Sequence, residues 1–185
     1  MRLLYEENIA DIATGAAVLG TGGGGNPYIG YLMGREAIRQ YGPVQLCALD
    51  ELDDDALVVP TAGMGAPTVS NEKLPNGIDI INALKTLERY MGKKVQATMS
   101  IEVGGGNSTT PIYVAAKLGL PLLDCDGMGR AYPELQMVTQ SMFGISATPM
   151  TIADEHGNIL ILETISNKWT ETIGRTITID MGGRG

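Results

Sequence analysis

Glycine constrains this chain more than any other feature. It accounts for 25 of the 185 residues, while aromatic residues make up only 5%. The glycines follow no collagen-like period and no low-complexity repeat. They gather in islands between well-patterned segments: Gly20-Thr21-Gly22-Gly23-Gly24-Gly25-Asn26-Pro27, Thr61 to Pro67, Gly104 to Asn107, and the loop from Cys125 to Arg130. A glycine inside a regular element costs roughly 0.5–1 kcal/mol of backbone entropy, but it lets the main chain turn with positive φ and approach a partner closely. A sequence that keeps so many is shaping a surface with its backbone.

Between the islands the periodicity alternates. Ile9, Ile12, Ala13, Ala16 and Ala17 keep a three–four spacing that predicts a helix over 6–19, and a second helix fits 28–41, with Gly42-Pro43 as its stop. Val44 to Leu49 and Ala56 to Pro60 read as strands, the second of the continuous apolar kind that is buried on both faces. Residues 77–91 predict a helix with Ile80, Leu84, Leu87 and Met91 on one stripe and Gly92 at its end. Lys94 to Val103 predicts a strand, 108–118 a helix, Pro121 to Asp124 a strand and 132–143 a helix with Pro133 in its first turn. After Ile145 two strands, Thr148 to Asp154 and Asn158 to Glu163, flank the turn Glu155-His156-Gly157-Asn158. A short helix from Ser166 to Gly174 follows, with Ser166 as its N-cap, and then Thr176 to Asp180 alternates like a strand. Strand, glycine loop and helix in repetition is the pattern of an open α/β sheet with helices on both faces. Ligands in such sheets sit outside the carboxyl ends of the strands. The islands at 61–67, 104–107 and 124–130 all follow predicted strands, so they are expected to line one cleft with 20–27 nearby.

Charge and composition exclude several classes. A hydrophobic fraction of 44% against 18% charged residues is globular. A net charge of −8 is the wrong sign for a phosphate-reading surface or an anionic membrane, so neither a nucleic-acid nor a membrane partner is expected. No apolar run reaches a membrane-spanning length, and the opening residues reach acidic positions too soon for a signal peptide. Two cysteines, Cys47 and Cys125, without a CxxC give neither a zinc knuckle nor a disulfide framework, which fits a reduced, cytoplasmic setting.

The first island is not a dinucleotide fingerprint, because it follows a helix, and it lacks the Gly-Lys-Ser/Thr of a P-loop. Two readings stand for it: main-chain N–H groups of Gly22, Gly23, Gly24 and Gly25, with Asn26, cradle an anion or polar ligand, or the island is a structural turn. Gly104, Gly105, Gly106 and Asn107 follow a strand and open a helix, so they either face a ligand or serve as caps. The densest chemistry is Asp124-Cys125-Asp126-Gly127-Met128-Gly129-Arg130, with Glu134 close behind. Asp124, Asp126 and Glu134 are the candidate general acid and base; a divalent metal on their oxygens is a further option, and no other cofactor is indicated. Alternatively the acids satisfy helix N-terminal amides, with Arg130 paired to one of them. Glu72 and Lys73 either contact substrate with Arg130 or form an ordinary exposed ion pair. Cys125 is blunted as a nucleophile by the carboxylates on either side, His156 sits in a turn without triad partners, and Trp169 reads as packing.

Taken together, Leu19 to Pro27, Gly65 to Lys73, Glu102 to Asn107, Asp124 to Met137, Ser166 to Trp169 and Asp180 to Gly182 resemble the DUF917, or S-methyl-thiohydantoin desulfurase-like, family across nearly the whole chain. The resemblance implies a three-layer α/β/α sandwich, here residues 1–165, with 166–185 leading toward a β-rich domain that the chain stops short of. It also implies hydrolytic removal of a sulfur substituent from, or attack on, a five-membered hydantoin-like ring. In that reading the ring carbonyls are held by main-chain amides of Gly22 to Gly25 and Gly104 to Gly106. The alternative it leaves open is a non-catalytic, ligand-binding partner of a hydantoinase- or oxoprolinase-type enzyme. A homo-oligomer is expected in either case.

Overall fold

The computed structural model describes residues 1–73 and 75–185, which fall into two compact units. The first comprises Met1–Ala62 and Lys93–Ala131, the second Gly63–Gly92 and Tyr132–Gly185.

The first unit is built on a five-stranded mixed sheet. Its strands are β1 (Arg2–Leu4), β2 (Val44–Cys47), β3 (Val58–Pro60), β4 (Ala97–Met99) and β5 (Leu122–Leu123), in the order β1-β2-β5-β4-β3. The three pairings that join β2, β5, β4 and β3 are parallel, and β1 closes one edge antiparallel to β2. Helices α1 (Ile9–Gly20), α2 (Pro27–Tyr41) and α5 (Thr110–Leu118) belong to this unit. Six of the nine residues of α5 are buried, as expected of a helix that packs on the sheet on one side and against α2 on the other. The chain is therefore of the α/β class, as its patterning predicts. At the carboxyl ends of the strands Cys47, Met99 and Leu123 form a cluster with Leu52, Val58 and Cys125 packed on it.

The second unit holds α3 (Pro67–Glu72), α4 (Ile78–Met91), a one-turn helix α6 (Thr139–Met142), the hairpin β6 (Met150–Ala153) with β7 (Ile159–Leu162), and α7 (Asn167–Asp180). The hairpin and α7 share a core of Ile152, Leu162 and Met181, flanked by Met150, Leu160, Ile173 and Ile177. The buried stripe of α4 runs through Ile81, Leu84 and Leu87, one position away from the expected Ile80, and Met91 is exposed.

Several expectations need correction. Thr176 to Asp180 is the end of α7 and not a strand. In that helix the hydroxyls of Thr172, Thr176 and Thr178 donate to the carbonyls four residues earlier, which satisfies them within the helix. Residues 132–143 do not form one helix; only Thr139–Met142 is helical. Upstream of that turn, the Leu135 N–H donates to Glu171 and the Arg175 guanidinium donates to the Pro133 carbonyl, so side chains of α7 take up main-chain groups that a helix would have paired. Ser70 to Glu72, for which no element is predicted, lies in α3, and β1 has no counterpart in the sequence reading. The strands expected over Lys94 to Val103 and Pro121 to Asp124 contract to β4 and β5, leaving longer loops at their carboxyl ends.

Candidate functional site

The loops that leave β4 and β5 meet the connection between α1 and α2. Helix α1 ends at Gly20, Thr21 turns left-handed at φ 46°, and Asn26 caps α2 by accepting from the Tyr28 N–H at 2.9 Å. Residues Gly105–Ser108 form a 3-10 turn ahead of α5. The two glycine islands are pressed together without side chains between them. A Cβ placed on Gly24 would stand 2.0 Å from the Gly104 carbonyl oxygen, one on Gly105 2.1 Å from the Gly25 carbonyl oxygen, and one on Gly20 2.9 Å from the Gly105 nitrogen. Main-chain hydrogen bonds bind the islands to one another: Asn107 N–H to the Gly24 carbonyl at 2.9 Å and Gly106 N–H to the Gly25 carbonyl at 3.2 Å. Ala131, at the end of the β5 loop, closes the third side, since a Cβ on either Gly23 or Gly104 would stand 2.7 Å from its methyl group.

This geometry divides the expected donors. The N–H groups of Gly23, Gly104 and Gly106 are engaged, with the Gly20 carbonyl, the Ser108 hydroxyl and the Gly25 carbonyl respectively. Those of Gly22, Gly24 and Gly25 donate to nothing among the described residues. Gly24 and Gly25 have φ of 80° and 89° and lie immediately before the N-terminus of α2, where the helix dipole adds to the attraction for negative charge.

Beneath Gly24 lies a residue that the sequence reading quoted in a motif but did not single out. Glu102 is 5% exposed, accepts from the Asn107 side-chain amide at 2.7 Å, and has its Oε1 3.2 Å from the place a Gly24 Cβ would take. The available signal was its position, a carboxylate two residues before three glycines in a loop that leaves a strand.

The acidic loop after β5 belongs to the same unit. Asp124 is exposed and its N–H is tied to the Cys47 carbonyl at 2.8 Å. Asp126 accepts from the N–H groups of Met128 and Gly129 at 2.9 and 2.6 Å, so it braces its own turn. Arg130 is exposed, and its Nε donates to the Ala131 carbonyl at 3.0 Å. Burial, with the charges of Asp126 and Asp124 added, pushes the Cys125 thiol up from its ordinary value.

Glu72, Lys73 and Glu134 belong to the second unit. Glu72 is exposed at the end of α3. Lys73 pairs with Glu155 at 2.5 Å and reaches the Met181 carbonyl at 3.5 Å, while its own carbonyl accepts from Arg184. Its ammonium holds the Glu155 carboxyl below the usual carboxylate range. Glu134 is paired with Lys168 and accepts from the Gln136 amide, which together lower its pKa. Among the described residues no group of three or more His, Cys, Asp or Glu is placed to hold a metal ion. Among them too, no helix is long and apolar enough to cross a membrane.

Fold and junction define a class: an α/β domain whose strand-end surface is glycine main chain backed by a buried carboxylate. The chain belongs to the S-Me-THD-like family, as that family's N-terminal domain, the match covering residues 7–164. The family is an enzyme-related, hydantoin-related one. A crystal structure of a protein from Chromobacterium violaceum superposes with a TM-score of 0.85 at 29% sequence identity. That match covers 100% of this chain and 53% of the other, so the chain spans about half the length of that protein. No curated protein matches the sequence.

Proposed function

We propose that this domain binds a five-membered cyclic amide of the S-methyl-thiohydantoin type and belongs to an enzyme that hydrolyses its carbon–sulfur bond. The observation that carries this reading is the pair of N–H groups on Gly24 and Gly25, held at positive φ by the junction with Gly104 and Gly105 and left without partners among the described residues. Two rigid main-chain donors suit a ring carbonyl whose oxygen gains charge during the reaction. Water adds to the ring carbon that bears the methylthio group, and electron density moves through the adjacent ring nitrogen onto that carbonyl oxygen. The carbon–sulfur bond then breaks, the water oxygen stays on the ring, one of its protons passes to the adjacent ring nitrogen and the other leaves with the thiolate as methanethiol. The product is the hydantoin, and no oxidant or reductant is consumed. Of the acids expected to activate water, Asp124 lies exposed in this unit, Asp126 is engaged in its turn, and Glu134 is ion-paired in the other unit.

The test is incubation of the full-length protein with an S-methyl-thiohydantoin, following thiol release colorimetrically and the hydantoin by proton NMR. Release of one thiol per hydantoin is the expected result. Binding of the ring by calorimetry without release supports instead a ligand-binding partner of a separate hydantoinase- or oxoprolinase-type enzyme. Neither binding nor release removes the reading.

A further inference from the structure

Around the end of α6 and the start of α7, in the second unit, large apolar side chains stand in water. Met142 and Phe143 are each 82% exposed and Ile165 is 91% exposed, with Ile145 and Trp169 more than half exposed. One side chain gathers these residues. Asn167 accepts from the Ala147 N–H at 2.8 Å and donates to the Ser141 hydroxyl at 3.0 Å and the Ile145 carbonyl at 2.9 Å. Residues 141–147 are thereby fastened to the first residue of α7, and each of the five apolar residues lies within two positions of a group so bonded. The patch is held in place before any partner arrives, so covering it loses little conformational entropy.

At about 200 Å² for a side chain of this size, the exposed fractions leave about 700 Å² of these five in water. The largest apolar patch of a monomer is typically about 300–600 Å², whereas each partner in a standard interface contributes about 800 Å². The composition also fits the centre of an interface, where Trp, Phe and Met gather and Asp, Glu and Lys are scarce. From Leu135 to Ala153 the sequence carries no charged residue, and Lys168, beside Trp169, is neutralised by Glu134.

This absence of charge selects the occupant. The chain has a net charge of −8, so two copies repel one another and meet most readily on a face without like charges. An uncharged apolar face is also complementary to itself across a two-fold axis. The C-terminus of the chain does not fill it. Gly185 lies past the other end of α7, hydrogen-bonded to Met64, and the helix between spans about 21 Å.

We propose that this face joins two copies of the protein in an isologous dimer, with Phe143 and Trp169 as its anchors. The assignment is independent of the chemistry proposed above, and no result below touches that reading.

Sedimentation velocity and amide hydrogen exchange of the full-length protein, over a series of concentrations, test it. A dimer is expected, with exchange in 141–147 and 165–169 slowing as the dimer forms. Phe143→Asp sets a carboxylate in the face and is expected to raise the dimer dissociation constant by about a hundredfold or more, with an unchanged circular dichroism spectrum. Val18→Asp, the same kind of change at an exposed position of the first unit, should leave that constant within about threefold. A protein that stays monomeric at every concentration overturns the proposal; if its 141–147 amides are nonetheless protected, the rest of its own chain covers the face. A dimer that survives Phe143→Asp, or whose formation leaves exchange in these segments unchanged, has its interface elsewhere and overturns the proposal as well. Should Phe143→Asp fail to fold, the exchange of the unaltered protein decides.

Discussion

Gly24 and Gly104 touch main chain to main chain: a Cβ on Gly24 would stand 2.0 Å from the carbonyl oxygen of Gly104 and 2.5 Å from its carbonyl carbon. The contact joins the connection between α1 and α2 to the loop that leaves β4. Every element of the proposed site depends on it, because the carboxylate of Glu102 lies beneath it and the unengaged N–H groups of Gly24 and Gly25 lie on it.

Gly24→Ala is therefore expected to lower stability by about 3 kcal/mol or more, combining backbone overpacking with the strain of φ 80°. Gly22→Ala supplies the comparison. Its φ is 97°, but nothing lies within 4 Å of the added methyl, so conformational strain alone, about 1–2 kcal/mol, is expected. Urea midpoints at constant slope measure both. Equal losses at the two positions would show that the islands do not pack as described.

A second pair of glycines should respond with opposite signs. Gly30 and Gly34 face inward from α2 with helical backbone. A methyl on Gly30 would stand 1.8 Å from the buried Thr109 hydroxyl, which donates to the Gly106 carbonyl, whereas one on Gly34 would meet Ile9 and Ile112 at 3.5–3.6 Å, ordinary contact. Gly34→Ala is expected to stabilise by about 0.5–1 kcal/mol through helix propensity, and Gly30→Ala to destabilise by about 1–3 kcal/mol. Thermal melts of the two variants decide it, and a destabilised Gly34→Ala would count against the packing of α2 on α5.

The contrast between these glycines shows how far the sequence could be read. That Gly20 to Gly25 and Gly104 to Gly106 shape a surface was legible from composition. That the islands pack on one another, with the N–H groups of Gly106 and Asn107 donating to Gly25 and Gly24, was not, because pairing between islands about eighty residues apart leaves no periodicity. Hairpin and helix patterns with strong local signals, such as Met150 to Leu162 and Ile78 to Met91, were recovered nearly in place. Thr176 to Asp180 was misread because alternating threonine and isoleucine fits a strand as well as it fits a helix packed by Ile173 and Ile177. At the site, the place of Glu102 ahead of three glycines was legible but its burial was not, because no local pattern separates a buried glutamate from an exposed one, whereas the Asp124 to Arg130 loop is marked by its density of charge.

The hairpin turn supplies a pH-dependent term. Burial pushes the Asp154 carboxyl up, but donation from the Asn158 side chain and from the N–H groups of Asn158 and His156 outweighs it, and the net shift is downward. A carboxylate whose folded pKa lies below its unfolded value adds stability that is complete above the unfolded pKa, near 4, and is lost as pH falls through the folded value. Urea midpoints are expected to fall between about pH 5 and pH 2 more steeply for the unaltered protein than for Asp154→Asn. Parallel acid limbs would remove this contribution.

Asp126 separates bracing from catalysis in the loop after β5. Its carboxylate accepts from the N–H groups of Met128 and Gly129 at 2.9 and 2.6 Å, and Gly129 turns with φ 77°, so the side chain holds the bend that leads to Ala131 and the glycine junction. Asparagine keeps an acceptor oxygen in the same place, while alanine leaves two N–H groups without one. Asp126→Asn is accordingly expected to keep turnover within about threefold, since a brace needs an acceptor and a base needs a charge. Asp126→Ala should cost about 1–2 kcal/mol in urea unfolding, through the lost hydrogen bonds, and should weaken ring binding because Ala131 is no longer held against Gly23 and Gly104. Loss of turnover in Asp126→Asn with binding and stability unchanged would place the base on Asp126.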